Sequence, residues 1–198
     1  MTDMDREHEL ALVARLRAGD TEAFDAVHAA FNTRLFNFLA RLARQRDVAE
    51  DLLEETWLRF VDRMSKLEPD TRLGPFLFTV ARNLHVSYCR SRLLEESQST
   101  VTIGLWPLGT PRPSPFDATV ANETGRRLEH AIAALPAMYR EALLLVAIEG
   151  MKPAEAAVVC GISGDAMRQR LSRARALIAE HLEEADHPLL VALKAVTP

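Results

Sequence analysis

Between Ser97 and Pro115 the chain places Gly104, Pro107, Gly109, Pro111, Pro113 and Pro115. Regular helix cannot run through such a stretch, because proline removes a backbone donor and clashes with the preceding turn. On both sides the apolar residues recur every three or four positions, aromatics are few and strand-like alternation is scarce. The 198-residue chain is therefore expected to be all-α, with two helical domains over residues 7–95 and 119–182. A proline-rich linker, 96–118, joins them, and a C-terminal tail, 183–198, follows. In polyproline geometry such a linker rises about 3 Å per residue, which lets the two domains stand on the order of tens of ångströms apart.

In the first domain Leu10, Val13 and Leu16 begin a helix that ends near Gly19, and Asp20 or Thr21 is placed to cap the next one. Phe24, Val27, Phe31, Leu35, Phe38 and Leu42 give this second helix its apolar side. Asp47 is expected to cap a third helix, with Val48, Leu52, Thr56, Phe60 and Met64 facing inward. That register leaves Asp47, Glu50, Asp51, Glu54 and Glu55 as an acidic block without a base inside it. Pro69 and Gly74 bracket a loop before a fourth helix, from about Pro75 to about Leu94. On it Phe76, Val80, Leu84 and Tyr88 fall on one side, and Arg82, Asn83, His85 and Arg90 include outward positions.

The second domain reads as a helix-turn-helix. Pro153 fits the first turn of a short helix, where its missing N–H costs nothing, and Ala156, Ala157 and Val158 supply a small packing face. Gly161 makes the turn, Ile162 packs inward, Ser163 caps the next helix and Asp165 sits in its first turn. Met167, Leu171, Ala174 and Ile178 form the buried stripe, opposite Arg168, Gln169, Ser172, Arg173 and Arg175. Between Ala166 and Leu177 there are four arginines and no acid, the pattern that neutralises phosphates. The alternative is a helical hairpin with a solvated arginine face.

The net charge of −4 conceals this segregation: the acidic block lies on one helix, while Arg72 to Arg92 contains four arginines and no acid. Cys89 and Cys160 match no zinc or CxxC spacing and read as reduced core thiols. Six scattered histidines without an HExxH motif give no support to a metal site, and no nucleophile, base and orienter set points to an enzyme. No cofactor is called for. The acidic start, Asp3, Asp5 and Glu7, is unlike a signal peptide, and apolar runs such as Ala142 to Ile148 are too short to span a bilayer. A cytoplasmic protein without membrane insertion is expected.

Taken in order, these motifs resemble the extracytoplasmic-function (ECF) sigma factors of bacterial RNA polymerase, within the sigma-70 superfamily, from Leu10 to Leu182. DVAEDLLEETWLRFVDRM resembles the region-two helix that docks on core RNA polymerase, which implies that Asp47, Asp51, Glu54 and Glu55 meet a basic surface. LGPFLFTVARNLHVSYCRSR is similar to the helix that holds the promoter minus-ten element, with a base pocket in the loop from Ser65 to Arg72 and DNA contacts from Arg72, Arg82, Asn83, Arg90 and Arg92. The helix-turn-helix resembles region four. This implies base-edge contacts to the minus-thirty-five element from Arg168, Gln169 and Arg173, with Lys152, Ser172 and Arg175 on the phosphate backbone. The resemblance implies core polymerase, promoter DNA and an anti-sigma factor as partners, and a stress or envelope-type regulon. The linker departs from the family in carrying no acid between Ser97 and Pro115. A conventional regulator, with a sensing domain ahead of an operator-binding helix-turn-helix, is the competing reading.

Overall fold

The computed structural model describes residues 5–98 and 123–183, all in helices and short connections, and among them there is no strand. The chain divides into two compact units. The first holds α1 (Arg6–Arg17), α2 (Thr21–Ala43), α3 (Arg46–Met64) and α4 (Leu73–Gln98). The second holds α5 (Glu123–Ala134), α6 (Ala137–Leu143) with a π-helical turn (Leu144–Ile148), α7 (Pro153–Cys160) as far as Ala157, and α8 (Gly164–Glu183). The expected linker and tail lie outside the described residues, apart from the ends of α4 and α8.

In the first unit α2 packs on α3 and α4, α3 packs on α4, and α1 lies against α2 and α3. Phe38 and Phe78 meet edge to face with centroids 5.2 Å apart. Trp57 stacks edge-on to Phe24 and Phe60 at 5.9 and 5.8 Å, and its indole N–H donates to Asn32 Oδ1 at 2.9 Å. Such ring pairs contribute about 0.5–1.5 kcal/mol each beyond their burial. Asp20 caps α2 as expected, accepting from the backbone of Glu22 and Ala23 after the left-handed Gly19 (φ +80). Phe78 is wholly buried in the core, whereas Phe76 and Tyr88 are half-buried.

Four local expectations change in the first unit, and on α7 Val158, expected on the packing face beside Ala156 and Ala157, points to solvent. Asp47 does not cap α3: Gln45 holds that position without a side-chain bond, and Asp47 lies in the first turn. The reason is the tight link from α2, which ends on Arg44 in the left-handed region (φ 58) and leaves only Gln45 before α3 begins. α4 starts at Leu73 rather than Pro75, which costs nothing because the first four N–H groups of a helix have no internal partner. His85 is buried, not outward. Leu10 is exposed, and the inward position beside Leu12, Val13 and Leu16 is taken by Glu9.

In the second unit α8 packs on α5 and α6. Arg140 ties the end of α5 to α6: its buried guanidinium donates to the carbonyls of Ile132 (3.2 Å), Ala133 (2.8 Å) and Leu135 (2.8 Å). Met167, Leu171, Ala174 and Ile178 are buried as the spacing predicts, joined by Leu182.

Candidate nucleic-acid and polymerase interfaces

At about 100° per residue, Asp47, Asp51 and Glu54 fall on one outward stripe of α3. All three are exposed, and none has a partner among the described residues. Glu55 stands apart: it is half-buried and its carboxylate accepts from Arg59 at 2.8 Å. Glu50 pairs with Arg46 at the same distance. The stripe continues into Leu58 and Val61, 62% and 44% exposed, which the sequence reading did not single out. Their signal was present in the spacing, since positions 47, 51, 54, 58 and 61 share the helical period.

On α4 the exposed Asn83, Ser87 and Arg90 share one stripe. Arg82 flanks it and is half-buried, while Arg92, though exposed, lies about half a turn round the helix from Asn83. Arg72 closes the loop before α4, and its guanidinium approaches the Glu9 carboxylate at 3.9 Å. That loop is gripped by α1 at Asp70, Thr71 and Leu73. Arg6 and Glu9, which do the gripping, were absent from the sequence reading. Their signal was a carboxylate sitting on the apolar stripe of α1.

The recognition helix α8 is set by Ser163, whose Oγ accepts from the Ala166 N–H at 3.2 Å, after the left-handed turn at Gly161 (φ +64). Gln169, Ser172 and Arg173 form the centre of its exposed face. Arg168 and Arg175 lie on one flank, Arg168 ion-paired to Asp165 and Arg175 half-buried. Arg170, the fourth arginine, turns inward toward Glu141 at 3.8 Å. Lys152 is exposed just before α7, where its backbone N–H donates to Glu155 at 3.1 Å, the half of a capping box that a glutamate in the first helical turn supplies.

The described residues contain no cluster of His, Cys, Asp or Glu that would hold a metal, and no helix among them is long and apolar enough to cross a membrane. Burial raises the Cys89 thiol pKa, which disfavours a reactive thiolate.

Two family models match the chain in this order: Sigma-70 region 2 over residues 27–93 and Sigma-70, region 4 over residues 125–178. The RNA polymerase sigma factor CarQ of Myxococcus xanthus is 31% identical over 172 residues, covering 87% of this chain and 96% of that relative. The ECF RNA polymerase sigma factor SigM of Bacillus subtilis is 30% identical over 152 residues, covering 76% of this chain and 90% of that relative. The chain belongs to the ECF branch of the sigma-70 family. It is an alternative sigma factor of RNA polymerase, a transcription initiation factor and not an enzyme. This sigma factor is also 31% identical over 176 residues to the "Probable RNA polymerase sigma factor RfaY" of Xanthomonas campestris pv. campestris, of which it spans 43%. The sigma factor RpoE from Bartonella quintana, solved in complex with the anti-sigma factor NepR, matches with a TM-score of 0.65 at 25% identity. The match covers 83% of this chain and 98% of that one.

Proposed function

We propose that the protein docks on core RNA polymerase through α3, captures the minus-ten element with the loop of residues 65–72 and the outer face of α4, and reads the minus-thirty-five element with α8. It thereby starts transcription of a stress or envelope-type regulon. One observation carries the reading: α3 holds three unpartnered carboxylates and two exposed apolar side chains on a single stripe. A solvated helix face does not need Leu58 and Val61 in register with its acids, whereas a docking face uses charge for orientation and apolar area for affinity.

The DNA-reading roles follow residue by residue. Asn83 and Arg90 face out together on α4, with Arg82 and Arg72 beside them as phosphate contacts and Arg92 further round the helix. Gln169 and Arg173 occupy the centre of the α8 face, where amide and guanidinium groups meet base edges. Ser172, Arg175 and Lys152 position the backbone, and Arg168 exchanges Asp165 for DNA on binding. An anti-sigma factor that covers the α3 stripe and the α8 face would block both activities, and the related RpoE was solved in complex with the anti-sigma factor NepR.

The test is transcription in vitro with the core enzyme of the same bacterium on fragments of its genome, with transcript starts mapped. The proposal expects starts preceded by two spaced sequence elements. Failure of the protein to associate with core enzyme overturns it.

A further inference from the structure

Among the described residues of the first unit Glu9 is the most deeply buried carboxylate, at 6% exposure, and the roles proposed for α3, α4 and α8 leave it unused. Its Oε1 accepts from the Leu73 N–H at 2.8 Å, and its Oε2 accepts from Arg6 Nη1 at 2.6 Å. Arg6 in turn donates through Nη2 to the Asp70 carbonyl at 2.7 Å and through Nη1 to the Thr71 carbonyl at 3.5 Å. Arg72 approaches the same carboxylate at 3.9 Å. Four consecutive residues, Asp70 to Leu73, are thus each held by one of two side chains more than sixty positions earlier in the chain.

This is more than α4 needs. One acceptor suffices to satisfy the first N–H of a helix, and a carboxylate there already suits the helix dipole. The additional grip falls on the carbonyls of Asp70 and Thr71, which belong to the loop and not to the helix. Fixing the backbone of one residue costs about 1–2 kcal/mol, so an untethered loop would have to be ordered each time it closed on a base. A loop ordered during folding captures its target without that cost.

We infer that Arg6 and Glu9 are positioning residues for promoter-strand capture: they hold the last residues of the 65–72 loop in the shape that receives an unpaired base. The inference rests on the minus-ten role proposed above for that loop. Neither side chain touches DNA in this scheme. Both act through the backbone of Asp70 to Leu73.

The test uses holoenzyme reconstituted from core polymerase and the full-length protein. The probe is a fork-junction DNA carrying a promoter that the wild-type holoenzyme selects from a randomised duplex library, with its minus-ten non-template strand unpaired. Arg6→Ala is the principal variant, because Arg6 is part-exposed and its loss leaves Glu9 on Leu73. It is expected to weaken capture about tenfold, the equivalent of 1.4 kcal/mol. It should also reduce the preference for the favoured base over the other three, with core affinity unchanged. Glu9→Ala should be more severe and Glu9→Gln, which keeps an acceptor for Leu73, intermediate. Hydrogen exchange should quicken at Thr71 and Arg72 in Arg6→Ala while the middle of α4 stays protected. Arg6→Ala capturing the fork with wild-type affinity and wild-type base preference overturns the inference and leaves the proposed function standing. Wild-type holoenzyme that captures no unpaired strand overturns both.

Discussion

Reversing one charge on α3, Asp51→Lys, should make the protein more stable and worse at binding polymerase. Asp51 is exposed and unpartnered, and its helical neighbours at i−4 and i+3, Asp47 and Glu54, carry the same charge. Like-charge pairs at these spacings destabilise a helix by about 0.2–0.5 kcal/mol each, and opposite pairs stabilise it by a similar amount. Converting two repulsions into two attractions is therefore worth about 1 kcal/mol, or about 4–8 °C in melting temperature for a unit of this size. At the docking face the same change replaces an attraction with a repulsion. An exposed pair contributes about 0.2–1 kcal/mol, so the reversal should cost about 0.4–2 kcal/mol, roughly a two- to thirtyfold rise in Kd for core enzyme. The loss should shrink as salt is raised. The assay pairs a thermal melt of the free protein with fluorescence titration of labelled protein by core polymerase at two salt concentrations. A raised melting temperature with unchanged core affinity would refute the docking role of the stripe. A lowered melting temperature would show that the local electrostatics are misread.

On α8, Gln169→Ala and Arg173→Ala should each cost about 1–3 kcal/mol of discrimination at one position of the minus-thirty-five element, read by binding to a panel of single-base variants. Arg175→Ala should instead weaken all variants alike and flatten the salt dependence. Arg140→Met leaves three carbonyls at the end of α5 without their shared charged donor and should destabilise the second unit by about 3 kcal/mol. Hydrogen exchange should then loosen α5 and α6 while α2 and α3 stay protected, and uniform loosening would count against the assignment. The hydrogen bond from Arg15 holds the Asp20 carboxyl below its ordinary pKa, outweighing an opposing burial effect. Because the folded value is the lower one, Asp20 contributes its stabilisation above the unfolded value of about 3.9 and loses it as pH falls through the folded value. Melting curves of wild type and Asp20→Asn should therefore be furthest apart near neutral pH and converge in acid. A gap that does not vary with pH would contradict this.

Much of the fold is written locally. The stripe of Met167, Leu171, Ala174 and Ile178, the cap at Ser163 and the turn at Gly161 each follow from a few adjacent residues, and the structure realises all of them. The same holds for Asp20, and for the outward direction of Asp47, Asp51 and Glu54, which the inward Leu52, Thr56 and Phe60 impose on them. A helix's own period decides which residues share a face, so motifs confined to one helix were legible. The period does not say what lies opposite a polar residue. His85 and Glu9 both sit on the apolar stripes of their helices, and the period alone does not say what satisfies a polar group buried there. Glu9 is tolerated there only because the Leu73 N–H and Arg6 meet it, and no pattern in the sequence links position 9 to position 73. The register of α3 against α2 likewise depends on the left-handed Arg44, a conformation usually signalled by glycine. The sequence alone determined an all-helical chain with an acidic helix, a basic helix and a helix-turn-helix in a sigma factor's order. Tertiary structure decided which carboxylates are bare and which are engaged, and what holds the loop ahead of α4. A buried polar group is stable only with its partner, and that partner is set by packing.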